Sequence, residues 1–245
     1  MTPTSLTAVW QHLNSTPLLW LCITIAIYLL AIQIYKRAHN NPLLLPVLTS
    51  VIMLVILLLL SGTPYEEYFA SVKMLHFLIG PATVALAIPL YHQLPKLKLL
   101  WWPLSVSLSI GALTGLVSSA LITHLFGGSA EMLLSLLPKS ATMPIALAIT
   151  DYTGGEPSIT AVAVAITGVL GSLMSMPVFR FFGFNNPIVQ GIATGVSAHA
   201  IGTARLIQSN ETKGAFSALA MCIAGILTAV FMPVMLLLLK VLHWL

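Results

Sequence analysis

Long uninterrupted apolar runs dominate this chain, in place of the amphipathic periods that are typical of soluble proteins. A helix needs about 20 mostly apolar residues to cross roughly 30 Å of hydrocarbon. Five runs approach or meet that length without a single charged residue, and we expect each to form a transmembrane helix. They are residues 18–35, 43–61, 99–123, 157–179 and 214–239.

A sixth run, residues 74–91, is long enough to cross but contains one histidine and several helix breakers: His76, Gly80, Pro81 and Pro89. Proline removes a backbone donor and clashes with the preceding turn, so we expect this crossing to be kinked. Two further segments bring the predicted number of crossings to seven or eight. The number depends on whether residues 132–150 cross the membrane or re-enter it.

These two segments, residues 132–150 and 187–204, are interrupted by prolines and glycines. Backbone groups freed at membrane depth are tolerated only inside protein or beside a watery cavity, and such discontinuous helices mark substrate sites in secondary transporters. We therefore predict two discontinuous helices; the alternative is a pair of re-entrant loops that serve packing alone. The residues expected to break or hinge the backbone are Pro138, Pro144, Gly154, Gly155, Gly191, Gly195 and Gly202.

Composition agrees with a membrane protein. Only 7% of the 245 residues are charged while 58% are apolar, and the mean hydropathy is +0.99. A soluble domain is roughly a quarter charged, because it needs a polar surface to cover its core. We predict an all-α polytopic integral membrane protein in which residues 1–245 form one transmembrane domain.

The cations indicate topology rather than a nucleic-acid partner, since they are scattered and form no basic patch despite a net charge of +4. Lys36 and Arg37 follow the first apolar run, which predicts that the N-terminus is outside. Lys96 and Lys98 then fall in the cytoplasm after two more crossings. The first 17 residues contain no Lys or Arg, so we expect no signal peptide. The sidedness of the second half stays open.

An internal repeat is indicated by the tripeptide Asn-Asn-Pro, which occurs at residues 40–42 and again at 185–187. Each copy follows an apolar run, and Glu66 and Glu211 also align at the offset of 145 residues (187 − 42). The predicted halves are about residues 18–91 and 157–240. Five crossings between the copies would make the repeat inverted, whereas a re-entrant 132–150 would make the copies parallel.

The first candidate site lies between Pro138 and Pro144. Lys139 supplies positive charge, while a helix that begins near Ser140 would point free backbone N–H groups at an anion. Ser140 can cap that helix and Thr142 can donate a hydrogen bond. The segment therefore suits a carboxylate or phosphate. The alternative is that Lys139 snorkels to the interface and that Ser140 is an ordinary cap.

The second candidate site contains His199, Thr203 and Arg205. All three cannot share one helical face, so we expect a break at Gly202 that lets the last two begin a new half-helix. His199 titrates nearest to neutral pH and could couple protons. The alternative is a histidine that is hydrogen-bonded within the packing.

Asp151 and Glu156 flank the Gly154-Gly155 turn and could coordinate a proton or a cation; a solvated loop is the alternative. We predict no metal and no cofactor. The chain contains no nucleophile motif or phosphate-binding loop and only one Asp. We therefore expect it not to be an enzyme.

Four motifs together resemble the LrgB/CidB/YohK family. They are PKSATMP at residues 138–144, GGxPSxTA at 154–161, GxAxG at 191–195 and HxIGTAR at 199–205. The resemblance is densest over residues 133–205, and the length and number of spans fit the entire chain. It implies a multi-pass protein of the bacterial inner (cytoplasmic) membrane.

The resemblance also implies two competing functions. One is an antiholin-like modulator of murein hydrolase export and autolysis, which works with a small holin-like LrgA/CidA membrane partner. The other is carriage of small carboxylates, as in plant relatives that transport glycolate and glycerate and bacterial relatives linked to pyruvate uptake. The polar groups at the two breaks favour a monocarboxylate transporter, because a regulator has no use for an anion site. The expected substrate-binding residues are Lys139, Ser140, Thr142, His199, Thr203 and Arg205, in a chain that we expect to contact lipid and to form a homo-oligomer.

Overall fold

The computed structural model describes residues 17–38, 44–85 and 87–244, and the chain divides into two compact units, residues 1–85 and 86–245. The first Asn-Asn-Pro, at residues 40–42, lies outside the described residues, so the repeat built on it stays a prediction. The second copy starts a helix: Asn186 Oδ1 accepts a hydrogen bond from the Ile188 N–H (2.9 Å), and Pro187 occupies the first helical position. This is the usual chemistry of a helix N-terminus.

The described part of unit one forms three helices, α1 (Pro17–Arg37), α2 (Pro46–Ser61) and α3 (Tyr65–Ala85). The fully buried Trp20 on α1 packs edge-on against Tyr68 on α3, with ring centroids 5.7 Å apart. The Thr24 and Tyr68 hydroxyls are hydrogen-bonded at 3.1 Å. Gly62 ends α2 in the left-handed conformation that glycine adopts without steric cost.

Unit two contains the segments that hold both candidate sites. Its helices are α4 (Ala87–His92), α5 (Leu94–Leu125), α6 (Ala130–Leu136), a 3₁₀ turn (Leu137–Ser140), α7 (Met143–Thr153), α8 (Pro157–Phe181), α9 (Pro187–Ser209) and α10 (Glu211–Val241). The described residues form only helices, turns and bends. An all-α fold is therefore confirmed for them.

Among the described residues, four helices are long and apolar enough to cross a membrane. They are Leu18–Arg37, Leu94–Leu125, Pro157–Phe181 and Glu211–Val241. The predicted run at residues 43–61 forms the shorter helix α2, with 16 residues. The predicted kinked segment, residues 74–91, is divided between α3 and α4, with Leu86 between them outside the described residues. Pro81 lies inside α3. The total of seven or eight crossings stays a prediction.

The segment α6–3₁₀ turn–α7 doubles back on itself, and we call it the first hairpin. The Thr160 hydroxyl donates to the Ser135 carbonyl before the turn (2.9 Å) and is bonded to the Thr150 hydroxyl after it (2.8 Å). One helical turn further along α8, Val164 packs against Ala141 and Ala146. The two arms therefore run in opposite directions along α8. Residues 138–142, which we call the first tip, join them.

Helix α9 also doubles back, at His199, and we call it the second hairpin. His199 has non-helical angles, φ 36° and ψ −129°, between two helical stretches. A Cβ on Gly202 would lie 2.7 Å from Thr194 Cγ2, although residues eight apart are about 12 Å apart in a straight helix. The chain therefore folds back sharply at His199, which we call the second tip.

The arms of the second hairpin run in opposite directions along α10. In the first arm, Gly191 faces the Lys213 carbonyl and Gly195 faces the Ser217 carbonyl, so the contacts move forward along α10. In the second arm they move backward: the Thr203 hydroxyl is bonded to Ser217 Oγ (2.8 Å), and Ile207 faces Gly214.

Several residues expected to break helices have other roles. The interruption lies at His199, whereas Gly202 is helical. Gly191 and Gly195 are also helical and let α9 approach α10. Gly154, with φ 82°, ends α7, and Gly155 packs against Ser135. Pro138 and Pro144 each stand in the first turn of a helical element, where a proline N–H is not needed.

Candidate functional site

Both tips reach the first half of α8. Val164 packs against Ala141 of the first tip, and its carbonyl accepts a hydrogen bond from Nε2–H of the His199 ring (3.0 Å). The first hairpin approaches from the Pro157 end, because its base contacts Thr160. The second hairpin approaches from the Phe181 end, because a Cβ added at Gly171 would lie 2.9 Å from Ala198 Cβ. The two tips therefore converge on Val164 from opposite ends of one helix.

Helix α5 also contacts both hairpins, and along α5 the contact with the second hairpin precedes the contact with the first. A Cβ on Gly111 would lie 3.0 Å from Val196 Cγ1 of the second hairpin, and one on Gly115 would lie 3.2 Å from Ser140 Oγ of the first tip. One turn further on, the Ser119 hydroxyl donates to the Leu136 carbonyl (2.7 Å). Gly111 therefore lies beside the second hairpin and Gly115 beside the first.

The polar side chains of the first tip are left without partners. Lys139, Ser140 and Thr142 are half-buried. Among the described residues, neither the Lys139 ammonium nor the hydroxyls of Ser140 and Thr142 makes a hydrogen bond or ion pair. Thr142, and not Ser140, occupies the cap position before α7, and its side chain makes no capping bond. Three donors are thus held at the tip with unused hydrogen-bonding capacity.

Helix α7 begins at the same place. Its first N–H groups have no partner within the helix, and Pro144, its second residue, has no N–H. The free donors of the first turn are therefore the backbone N–H groups of Met143 and Ile145. A helix N-terminus carries partial positive charge, so these groups add to that of Lys139.

Three polar side chains of the second hairpin, those expected to bind substrate, are hydrogen-bonded to neighbouring helices. His199 is bonded to Val164 on α8, and Thr203 to Ser217 on α10. Arg205 Nη1 donates to the Ser172 carbonyl of α8 at 2.6 Å. These residues tie the second hairpin to two helices.

Gly168 is a site-forming residue that sequence reasoning missed. A Cβ there would overlap His199 Cε1 and would lie 2.9 Å from Nε2, so only glycine leaves room for the ring. Its position one turn after Val164, on the buried face of α8, could have drawn attention to it. The buried hydroxyls of Ser172 and Thr194 were also missed; neither has a partner in the described chain.

Asp151 and Glu156 lie at the base of the first hairpin and not at the tips. Asp151 is exposed. Glu156 caps α8, because its Oε1 accepts from the Ser158 N–H (3.2 Å) and hydroxyl (2.9 Å). Within the described residues, no group of three His, Cys, Asp or Glu side chains could hold a metal ion.

Two apolar grooves lie beside the hairpins, and neither lining includes the polar tip residues Lys139, Ser140, Thr142 or His199. One of about 730 Å³ lies between α7 and α10 and includes Pro144, Tyr152 and Lys240 in its lining. The other, of about 670 Å³, lies between α5 and the first arm of α9. Their linings are mostly aliphatic, so neither groove provides the chemistry expected of an anion site.

Comparison with known proteins identifies a family. The model of the LrgB-like family matches residues 24–238. The chain is 35% identical to the protein YwbG of Bacillus subtilis over 88% of this chain and 96% of the relative. It is 30% identical to the antiholin-like protein LrgB of Bacillus mycoides, over 89% of this chain and 95% of the relative. No solved structure matches the chain.

Proposed function

The chain belongs to the LrgB-like family, and we propose that it transports small monocarboxylates of the pyruvate, glycolate and glycerate class through a site between the two tips. The observation that carries this proposal is the convergence of both tips on Val164, with three unpartnered polar side chains on one of them. Residues that only pack have no need of unused hydrogen-bonding capacity inside a helical bundle.

The chemistry of the first tip suits a carboxylate. Lys139 provides a full positive charge and the start of α7 provides partial positive charge, while Ser140 and Thr142 donate hydrogen bonds. A carboxylate accepts several hydrogen bonds at once, so it would use all of these groups together. His199, whose ring is hydrogen-bonded to the Val164 carbonyl, serves as the proton-coupling group.

Thr203 and Arg205 have a different part in this proposal. Both positions follow the second tip, and both side chains are bonded to neighbouring helices. Arg205 contributes positive potential to the bundle while its bond to Ser172 orients the hairpin. The substrate contacts are assigned to the first tip and to His199.

The contacts in unit two favour an inverted repeat, with halves other than those suggested by the Asn-Asn-Pro tripeptides. In each half a long helix precedes a hairpin: α5 precedes the first and α8 the second. On α5, Gly115 faces the tip of the first hairpin and Gly111 faces the second hairpin. On α8, Gly168 faces the tip of the second hairpin and Val164 faces the first hairpin. Broken helices in inverted repeats enclose midplane sites that open alternately to the two sides.

The charges at the two ends of unit two suggest its orientation. Lys96, Lys98, Arg180 and Lys213 lie at the end where α5 and α10 begin, together with Glu211. The opposite end carries Glu131, Asp151, Glu156 and Lys240. By the positive-inside rule the basic end faces the cytoplasm. The second hairpin would then enter from the cytoplasm and the first from outside.

Uptake by purified protein in proteoliposomes tests the proposal. Radiolabelled pyruvate, glycolate and glycerate are supplied with and without the small holin-like LrgA/CidA membrane partner. We expect saturable uptake of at least one of them. Uptake that is unaffected by both Lys139→Ala and Arg205→Ala would exclude the proposed site.

The second candidate function is that of an antiholin-like modulator of murein hydrolase export, which the printed name of the Bacillus mycoides relative favours. Such a protein would act through its holin-like partner and would have no substrate of its own. Absence of all carboxylate uptake, together with intact control of murein hydrolase release in cells, would establish this function instead.

A further inference from the structure

Gly115 on α5 leaves the space that the Ser140 side chain occupies. A Cβ at residue 115 would lie 3.2 Å from Ser140 Oγ and 3.5 Å from Ser140 Cβ. The first of these distances is shorter than ordinary van der Waals contact, so Ser140 would have to move by a few tenths of an ångström. The present position of this hydroxyl therefore depends on glycine at residue 115.

No hydrogen bond within the described residues fixes the direction of the Ser140 hydroxyl. A serine side chain has three staggered χ1 positions, and its surroundings select among them. At Ser140 the nearby backbone of α5 contributes to that selection. A methyl group at residue 115 would disfavour the position that is now occupied.

We propose that Gly115 is a positioning residue for carboxylate binding: it directs the Ser140 hydroxyl toward the substrate without touching the substrate itself. This inference rests on the proposed transport function. It differs from a packing role because its effect passes through one oxygen atom, Ser140 Oγ. Removing that atom should therefore remove the effect of a substitution at residue 115.

Gly111 provides a matched control one turn earlier on α5. A Cβ there would lie 3.0 Å from Val196 Cγ1, the end of an aliphatic side chain, and not against the first tip. Gly111→Ala therefore makes the same chemical change on the same helix and leaves Ser140 alone.

The experiment measures KM and maximal rate of carboxylate uptake in proteoliposomes for Gly115→Ala, Ser140→Ala, the double variant and Gly111→Ala. We expect Gly115→Ala and Ser140→Ala each to raise KM about tenfold, the effect of weakening one hydrogen bond to a charged group. The double variant should match Ser140→Ala. Gly111→Ala should leave KM within about twofold of the unaltered protein.

Two kinetic results would overturn the inference: a further rise of KM when Gly115→Ala is added to Ser140→Ala, or an equal rise in Gly111→Ala. If Gly115→Ala does not fold but the double variant does, the clash with the hydroxyl is supported; failure of both variants to fold would count against it. Absence of uptake by the unaltered protein would instead refute the proposed function, so the two failures are distinguishable.

Discussion

Three polar side chains of the first tip and three of the second hairpin were expected to bind substrate, but their hydrogen bonding differs. Lys139, Ser140 and Thr142 have no partner among the described residues. In the second hairpin, His199 and Arg205 are bonded to carbonyls of α8, and Thr203 is bonded to a hydroxyl of α10. Similar residue types beside a backbone interruption therefore provide free binding capacity in one hairpin and anchorage in the other.

This difference follows from what each side chain can reach. The second hairpin packs closely on α8 and α10 through glycines, which brings its polar groups within hydrogen-bonding distance of their backbones and hydroxyls. At the first tip, the nearby residues of α5 and α8 are Gly115 and Val164, whose side chains offer no acceptor. Transport should therefore be sensitive to the first tip and to His199, and stability to the anchoring residues Thr203 and Arg205.

The largest expected effect is on transport. Lys139→Ala should lower carboxylate uptake about 100-fold, because removing one member of a partly buried charge pair costs several kcal/mol of binding. Its thermal unfolding midpoint should change little, because Lys139 has no partner to lose.

Arg205→Ala should lower stability by about 1–3 kcal/mol, since the Ser172 carbonyl loses a charged donor.

Lys240→Ala is the control for the loss of a cation, because Lys240 is exposed at the opposite end of α10 from the second hairpin. Uptake in proteoliposomes and thermal unfolding in detergent are measured on the same preparations. Equal loss of uptake in the Lys139 and Lys240 variants would contradict a specific role of Lys139 in substrate binding.

The next effect is on stability. Gly168→Ala should destabilise the protein by about 2–4 kcal/mol, because its methyl group would displace the His199 ring and break the bond to Val164. Gly225→Ala is the matched control, since a Cβ there would meet only Ile145 Cδ1, the mobile end of a side chain. Thermal unfolding compares the two.

A double variant isolates the ring as the cause. In a His199→Ala background the ring is absent, so Gly168→Ala should cost clearly less than it does alone. Equal costs in both backgrounds would show that Gly168 acts through some other contact.

The smallest effect compares two threonines by the same substitution. Thr203→Val should lower stability by about 1 kcal/mol, because the buried Ser217 hydroxyl loses its bond to Thr203. Thr142→Val should leave the unfolding midpoint unchanged and weaken uptake, because its hydroxyl is available to substrate only. The opposite pattern, with Thr142 governing stability and Thr203 governing uptake, would reverse the assigned roles.

Much of the helical architecture could be predicted, because a long apolar run in the sequence indicates a helix that lipid can surround. Residues 99–123 and 157–179 were expected to be helical, and the helices observed there, Leu94–Leu125 and Pro157–Phe181, extend only a few residues beyond them. The 3₁₀ turn between α6 and α7 contains Pro138, which the sequence marked as a helix breaker. These signals depend on local chemistry alone.

The break in α9 could not be placed correctly, because its position is decided by tertiary contacts. Gly202 looked like the breaker on propensity, yet it is helical and lets Thr194 and Ala198 approach. His199 adopts positive φ while its ring fits against Gly168 and bonds to Val164. The partners of Thr203 and Arg205 lie on other helices, so spacing along one segment could not reveal that they are anchored.

The shortness of the hairpin arms has a consequence for how the protein is made. Helix α7 has 11 residues, about 16 Å of helix, which is roughly half the thickness of the hydrocarbon layer. In the proposed arrangement, such an arm cannot be released sideways into lipid as an independent span during synthesis. The long helices must first pack together, and the hairpins then fold between them. Biogenesis would therefore wait for α8 and α10, the last helices on which the hairpins can close.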